Sequence, residues 1–215
     1  MATKAMELSR VSAAILAGGL GMRLRSKVSD RPKVLAGVGS RPFLAYLLDQ
    51  LVACGCRAAV ICTGHLGEQV SRTFGDAYDS LRLIYSHETT SLGTAGALRF
   101  ALPNIESDPV LVMNGDSYCD LDIRAFWHWH RRREASASIA LARVELSERY
   151  GRVHVDDHAQ VTAFVEKEKD GGPGWINAGV YLLSREVIRS IPEAMITSLE
   201  KDVFPRWVDR ASVVT

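Results

Sequence analysis

The amino-acid sequence predicts an α/β protein whose sheet is mixed but mostly parallel and carries helices on both faces. Three observations support this prediction. Short apolar runs alternate with segments of helical spacing from residue 11 to residue 144. A glycine-rich turn follows the first of these runs, as expected at the end of a buried strand. Beyond residue 150 the pattern changes to two runs joined by a polar turn, which indicates antiparallel strands.

The first part of the chain supplies the elements of the parallel sheet. Buried strands are predicted from short apolar runs at residues 11–18, 57–64, 81–86, 109–117 and 136–144. Helices are predicted between them at residues 42–55, 66–76, 94–104 and 123–135. Pro42 lies near the start of the first helix, Gly55 lies just past its end, and Pro103 ends the third. Strands that alternate with helices form βαβ units, so the predicted sheet is Rossmann-like.

The last third of the chain extends this sheet. Residues 151–168 predict two strands joined by a turn at residues 156–158, and residues 174–184 predict another strand. Helices are predicted at residues 185–191 and 198–208. Because no repeat, low-complexity tract or linker interrupts the pattern, we predict a single domain over residues 1–215.

Composition excludes several classes of protein. The formal net charge is +1, with 47% hydrophobic and 24% charged residues, which does not favour a general nucleic-acid-binding surface. No segment is long and apolar enough to span a bilayer, and the first ten residues are too polar for a signal peptide. The four cysteines form no C-x-x-C pair, which favours free thiols in a reducing cytoplasm. We therefore expect a cytoplasmic protein without a nucleic-acid or membrane partner, and a homo-oligomer stays open.

The first turn combines glycines with cations. Gly18, Gly19 and Gly21 follow the first strand, and ligands of open α/β sheets bind beyond such strand ends. Glycine lets backbone N–H groups approach a phosphate, for which Arg23 and Lys33 supply charge. Neither a Walker motif nor a dinucleotide fingerprint is present. A plain strand-to-loop connection is the alternative, and three further cations are expected to be solvated: Arg25, Lys27 and Arg31.

Asp116 stands at the end of another apolar strand. Its carboxylate would emerge at the same edge of the sheet, where a hard oxygen ligand suits Mg²⁺. The alternative is a turn aspartate that caps the next segment. The residues by themselves leave both interpretations open.

The opening segment "LAGGLGMRLRSKVSDRPKVL" resembles the G-G-x-G-x-R-L…P-K signature of the sugar-1-phosphate nucleotidyltransferases. Further elements follow in that family's order: "SLGTAGAL", "MNGDSY", "RYGRV", "FVEKE" and "INAGVYLL". The resemblance is greatest to the bacterial D-glycero-D-manno-heptose 1-phosphate guanylyltransferase branch. It implies a nucleotide-diphospho-sugar transferase fold of the GT-A-like kind, with a nucleotide-binding half at about 12–145 and a sugar-binding half at about 146–215.

The resemblance implies a reaction of a sugar 1-phosphate with an NTP, here GTP, to give an NDP-sugar such as GDP-heptose and pyrophosphate. Arg23 would contact the β- and γ-phosphates, and Lys33 would contact the triphosphate. Lys167 would bridge the phosphate of the sugar and the α-phosphate of the nucleotide. The base and ribose would contact Leu16, Ala17, Gly18, Gly19, Gly93 and Thr94. The sugar would contact Gly151, Glu166 and Asn177. The metal would be Mg²⁺, bound by Asp116.

Several alternatives remain at this point. The run "EKEK" that contains Glu166 and Lys167 could be a solvated charge run, and Asn177 could make a structural bond to backbone. The enzyme could instead be a mannose-1-phosphate guanylyltransferase, or a uridylyl-, thymidylyl- or cytidylyltransferase that acts on another sugar phosphate. A regulatory module that holds a nucleotide sugar without turnover is the non-enzymatic alternative. The family's second metal-binding aspartate, in a motif like W-x-D-I-G-T-P-E-D-Y, is not found, so we expect that the C-terminal family segment is missing.

Overall fold

The computed structural model of the chain describes residues 8–19, 31–145, 151–165, 172–208 and 213–214. Its strands are β1 Ser12–Leu16, β2 Gly37–Val38, β3 Arg41–Pro42, β4 Ala58–Thr63, β5 Ala77–Tyr78, β6 Leu81–His87, β7 Val110–Asn114, β8 Ala137–Val144, β9 Arg152–Val155, β10 Val161–Val165, β11 Gly174–Leu183 and β12 Val213–Val214. Its α-helices are α1 Phe43–Cys54, α2 Gly67–Phe74, α3 Gly93–Ala101, α4 Ile123–Arg133, α5 Arg185–Arg189 and α6 Phe204–Val208.

The main sheet has the order β10-β9-β11-β7-β1-β4-β6-β5, with β8 paired to β11 and β12 paired to β8. Strands β7, β1, β4 and β6 are mutually parallel and form its centre. Strand β11 runs antiparallel to both β7 and β8, and the β9–β10 hairpin joins it at Ile176. The predicted mixed, mostly parallel sheet is therefore confirmed.

Along a strand, successive apolar side chains point to opposite faces of this sheet. In β1, Ala13 and Ile15 join one core cluster, whereas Ala14 and Leu16 join the other. Helices α1 and α4 pack on the first face, and α3, α5 and α6 pack on the second. Each fully buried leucine of α1 contributes roughly 1.5–3 kcal/mol of transfer free energy. Helices on both faces are thus confirmed.

The C-terminal helix differs from its prediction. The helix expected at residues 198–208 is divided into a π-helical segment, Leu199–Val203, and the short helix α6. Pro205 has no backbone N–H and cannot donate to the carbonyl group four residues earlier, so a regular α-helical ladder cannot continue across it. The two-residue strands β2, β3, β5 and β12 were not predicted, because two residues are too few to show a period.

Within the part of the chain that the structure describes, no helix combines the length and the apolar character that crossing a membrane requires.

Candidate active site

Two neighbouring parallel strands deliver the predicted nucleotide residues to one edge of the sheet. Leu16 at the end of β1 is in register with Asn114 at the end of β7. The two following loops are tied together, because the N–H group of Gly115 donates to the carbonyl oxygen of Leu16 at 3.0 Å. Any β-carbon at Gly115 would lie 2.7 Å from that oxygen, so the close approach requires glycine.

These loops border a cavity of about 340 Å³, which we call the nucleotide cavity. Its walls contain eight of the residues predicted for the site: Leu16, Ala17, Gly18, Gly19, Lys33, Gly93, Thr94 and Asp116. The structure therefore brings together residues from four separate segments of the chain. Their predicted contacts with base, ribose and phosphate stay predictions.

The two predicted charged groups of this cavity pair with each other. The Nζ atom of Lys33 lies 2.7 Å from Oδ2 of Asp116, and the side chains retain 33% and 51% of their exposure. The other oxygen of Asp116 accepts from the hydroxyl group of Ser117 at 3.2 Å. Asp116 is therefore a solvent-accessible carboxylate held beside a cation at the mouth of the cavity.

A second cavity of about 490 Å³, the sugar cavity, adjoins the first. Its walls contain the predicted sugar residues Gly151 and Asn177, together with Phe164 and Arg152. Asn114 and Glu200 line both cavities. The two predicted half-sites are thus continuous at one pair of polar side chains.

A buried tyrosine organises this junction. The hydroxyl group of Tyr181 accepts hydrogen bonds from the side-chain amides of Asn177 at 2.8 Å and Asn114 at 3.2 Å. It donates to Oε1 of Glu200 at 3.3 Å. Burial raises the pKa of the tyrosine hydroxyl, and the neighbouring Glu200 carboxylate raises it further. Tyr181 therefore stays protonated and keeps its donor role toward Glu200.

Glu200 is also held from the other side. Its Oε2 atom accepts from the hydroxyl groups of Ser198 at 2.9 Å and Thr94 at 3.1 Å. Thr94 in turn accepts from the N–H group of Leu199 at 2.8 Å. The hydroxyl proton of Thr94 is thus directed at Glu200, and the carboxylate has a fixed position between the two cavities.

Asn177 makes a structural hydrogen bond to backbone, which was the alternative to a role in sugar binding. Its Oδ1 atom accepts from the N–H group of Gly179 at 2.8 Å, and its amide donates to Tyr181. Both polar ends of the side chain thus have a protein partner, although the residue borders the sugar cavity. Among the described residues, Asn114 has an Oδ1 atom that is buried without a hydrogen-bond partner.

Glu88 is a functional candidate that no sequence motif indicates. It is 6% exposed, and its Oε2 atom accepts from the N–H group of Leu92 at 3.3 Å. Burial raises the pKa of its carboxyl group. Its Oε1 atom faces the glycine turn, since a β-carbon on Gly18 would lie 2.9 Å away. Glu88 also lines both the nucleotide cavity and a third cavity of about 550 Å³.

Three further residues at the junction of the two cavities were not predicted, because the sequence marks them only weakly. Glu200 lies in the segment "SLE" before the last helix, Asn114 lies in "MNGDSY", and Tyr181 lies in "INAGVYLL". Nothing local distinguishes a functional role for them, because the role depends on contacts with distant segments. The predictions for Gly21, Arg23, Glu166 and Lys167 lie outside the described residues.

The fold and the site together define a class: nucleotide-binding α/β proteins with a glycine turn and a carboxylate at the carboxyl ends of their central strands. A model of the nucleotidyl transferase family matches residues 12–214, and the chain belongs to this family.

Individual relatives agree with this assignment. The D-glycero-alpha-D-manno-heptose 1-phosphate guanylyltransferase of Aneurinibacillus thermoaerophilus is 35% identical over 192 residues, which are 89% of this chain and 83% of that protein. The mannose-1-phosphate guanylyltransferase catalytic subunit beta of Drosophila melanogaster is 35% identical over 202 residues, or 92% of this chain. The chain spans 54% of that longer relative.

A solved structure shows the same fold. The crystal structure of HddC from Yersinia pseudotuberculosis complexed with GMP-PN has a TM-score of 0.84 and 30% identity. The match covers 95% of this chain and 88% of HddC.

Proposed function

We propose that the chain joins GTP to a sugar 1-phosphate, giving a GDP-sugar and pyrophosphate. The observation that carries this proposal is the continuity of two cavities at Asn114 and Glu200. One cavity contains the glycine turn, Lys33 and Asp116, and the other contains Asn177. A nucleotide and a sugar phosphate bound in the two cavities would meet at the shared residues.

We further propose that the sugar is D-glycero-D-manno-heptose. Support comes from the heptose 1-phosphate guanylyltransferase of Aneurinibacillus thermoaerophilus, of which this chain spans 83%. The mannose 1-phosphate relative is equally similar but much longer. Free cysteines at positions 54, 56, 62 and 119 support a cytoplasmic location.

The proposed reaction needs charge compensation more than acid–base chemistry. A phosphate oxygen of the sugar 1-phosphate attacks the α-phosphorus of GTP in line, and the bond to pyrophosphate breaks. The attacking oxygen is already an anion, so positioning and positive charge supply the catalysis. Lys33 would serve the triphosphate, with Arg23 at the leaving group and Lys167 where the two phosphates meet. Glu166 would accept hydrogen bonds from the sugar.

The surroundings of Asp116 fit a Mg²⁺ ion that is shared with substrate. No group of three His, Cys, Asp or Glu side chains in the described part of the chain could hold a metal alone. Mg²⁺ commonly takes one or two carboxylates and completes its shell with water and phosphate oxygens. When bound, it would neutralise charge on the phosphates. Asp116 would hold it, and the Lys33 charge would then be available to the triphosphate.

The variant Asp116→Asn tests this role, because it keeps the side-chain volume and removes the charge. We expect pyrophosphate release from GTP and heptose 1-phosphate to fall on the order of 100-fold or more at every Mg²⁺ concentration. The exposed Asp120→Asn, four residues further on, is the matched control and should behave as wild type. Pyrophosphate release by Asp116→Asn at the wild-type rate over the same range of Mg²⁺ concentrations would contradict the metal role. Binding of GTP without pyrophosphate release by wild type would contradict catalysis.

Glu88 supports guanine as the base. Guanine presents two adjacent donors, its N1–H and its exocyclic amine, and a carboxylate accepts from both. Uracil and thymine present one ring N–H between two carbonyl groups, and cytosine pairs its amine with a ring acceptor. A buried carboxylate beside the glycine turn therefore favours guanine.

The variant Glu88→Gln tests base choice. Replacing one acceptor by a donor should lower kcat/KM for GTP by roughly 10- to 100-fold, because a hydrogen bond to a charged group is lost. The corresponding value for UTP should change little. Glu68→Gln is the control, since Glu68 borders the same third cavity but is exposed and paired with Arg72. If the ratio of kcat/KM for GTP to kcat/KM for UTP were unaltered in Glu88→Gln, Glu88 would not be the residue that selects guanine.

A further inference from the structure

Two thiols outside the proposed site are in direct contact. The Sγ atoms of Cys54 and Cys56 lie 3.5 Å apart at the end of α1. Cys54 is 6% exposed, and Cys56 is fully buried. Both belong to the core cluster on the α1 face of the sheet.

The backbone holds the two sulfur atoms on the same side of the chain. Gly55 adopts a left-handed conformation with φ of 94°, and its N–H group donates to Val52. The N–H group of Cys56 donates to the carbonyl oxygen of Leu51 at 3.0 Å. This pair of bonds is a Schellman motif, which ends the helix with a hydrogen-bonded turn. The contact between the thiols is therefore a property of a fixed turn.

The two thiols are chemically unequal. The hydrogen bond from Cys56 lowers the pKa of the Cys54 thiol, and the nearby Arg124 guanidinium lowers it further. The same contact and burial raise the pKa of the Cys56 thiol. Cys54 therefore loses its proton more readily than Cys56, and it is also the sulfur that retains contact with solvent.

We propose that Cys54 and Cys56 form an oxidisable dithiol that a peroxide converts into an intrachain disulfide. The Cys54 thiolate attacks one peroxide oxygen, the O–O bond breaks, and the departing hydroxide takes a proton to form water. The resulting sulfenic acid is attacked by the Cys56 sulfur, whose proton leaves with the displaced hydroxide as a second water. The sulfur pair loses two electrons, and the peroxide gains them.

The other two cysteines serve as internal controls. Cys62 lies in β4 and is buried, and burial raises the pKa of its thiol to about 12. Cys119 is half-buried, and burial also raises its pKa. Cys119 is more exposed than Cys54, but its thiol is not activated. Oxidation of Cys119 would therefore indicate general oxidation and not oxidation at a specific site.

The test uses the intact protein and peptide mass spectrometry. The folded chain is treated with one equivalent of hydrogen peroxide, alkylated with iodoacetamide without reduction, and digested with trypsin. Cys54 and Cys56 share the tryptic peptide 34–57, because Arg41 precedes a proline and is not cleaved. Cys62 and Cys119 fall in two other peptides. Circular dichroism before and after treatment checks that the protein stays folded.

We expect peptide 34–57 to escape alkylation and to be about 2 Da lighter than its dithiol form. Dithiothreitol should restore two alkylation sites. Cys54→Ser and Cys56→Ser should each abolish the mass loss, and Cys119→Ser should keep it. Oxidation of Cys119 ahead of the pair would overturn the proposal. So would recovery of Cys54 as a sulfinic acid without a disulfide.

Discussion

Two glycines of the site are required by both conformation and contact. Gly93 has φ of +73°, and a β-carbon there would lie 2.5 Å from the carbonyl oxygen of Thr197. Gly179 has φ of +79°, and its β-carbon would lie 3.1 Å from the side chain of Asn114. These contacts bring α3 against the segment that carries Glu200, and β11 against β7. Substitution by any residue with a β-carbon would strain the junction of the two cavities.

A buried histidine outside the site links stability to pH. His130 on α4 is 4% exposed, and its Nδ1 atom lies 2.8 Å from the hydroxyl oxygen of Ser138 on β8. Burial, with a smaller contribution from Arg131, lowers the pKa of His130 from 6.5 to about 4, against the opposing influence of Asp108. The folded protein thus resists protonating this ring.

This histidine should make the protein less stable in mild acid. Above pH 6.5 the ring is neutral in both states; below it, the unfolded chain takes up a proton that the folded chain refuses until about pH 4. The free energy of unfolding should therefore fall by about 2 kcal/mol between pH 7 and pH 5 from this group. Urea unfolding of wild type and of His130→Gln at pH 7 and at pH 5 measures this decrease in the free energy of unfolding.

The variant His130→Gln should show a smaller decrease between the two pH values than wild type. The exposed His158→Gln is the control and should retain the wild-type difference. Equal pH dependence in His130→Gln and wild type would contradict the role of the buried ring.

At the scale of elements, one arginine joins two helices. Arg124 at the start of α4 donates through Nε to the carbonyl oxygen of Cys54 at 3.1 Å and through Nη2 to that of Ala53 at 2.7 Å. Both carbonyl groups lie in the last turn of α1, where no intrahelical donors remain. The guanidinium also complements the negative end of the α1 dipole.

The variant Arg124→Ala should therefore loosen the contact between α1 and α4. We expect the free energy of unfolding to decrease by about 1 kcal/mol, because two charge-assisted bonds are lost at a partly exposed site. Urea unfolding measures the change. Arg132→Ala, at an exposed position of the same helix, should leave stability within about 0.5 kcal/mol of wild type. Equal effects of the two variants would show that the carbonyl contacts contribute nothing.

At the scale of the whole molecule, the two predicted halves share one core. The cluster on the α3 face combines Ala14 and Leu98 with Tyr181 and Phe204. Strand β11 enters the sheet directly beside β7. Removal of either half would expose apolar surface of the other, so we expect the chain to behave as one domain.

One cooperative transition should follow from this shared core. The chain has four tryptophans, two in each predicted half: Trp127, Trp129, Trp175 and Trp207. In the double variant Trp127→Phe with Trp129→Phe, fluorescence reports only the second half. Its urea midpoint should coincide with the midpoint from far-UV circular dichroism. Two separated midpoints would instead indicate halves that unfold independently.

The sequence by itself determined the fold class and one side of the site. Alternating runs of strand and helical spacing are local properties, so periodicity predicts them without knowledge of the fold. The glycine turn after β1 and Asp116 after β7 were predictable for a similar reason. Both follow buried strands, and the carboxyl ends of parallel strands share an edge of the sheet.

Only the tertiary structure decided how these groups combine. The Lys33–Asp116 pair joins residues 83 positions apart, and the Thr94–Glu200 bond joins residues 106 positions apart. Glu88 and Glu200 resemble ordinary surface carboxylates in the sequence, and only the folded structure shows the burial of Glu88 and the hydrogen bonds that hold both side chains. Periodicity and composition report a residue's neighbours along the chain. A binding site depends on neighbours in space, which exist only after the sheet has been assembled.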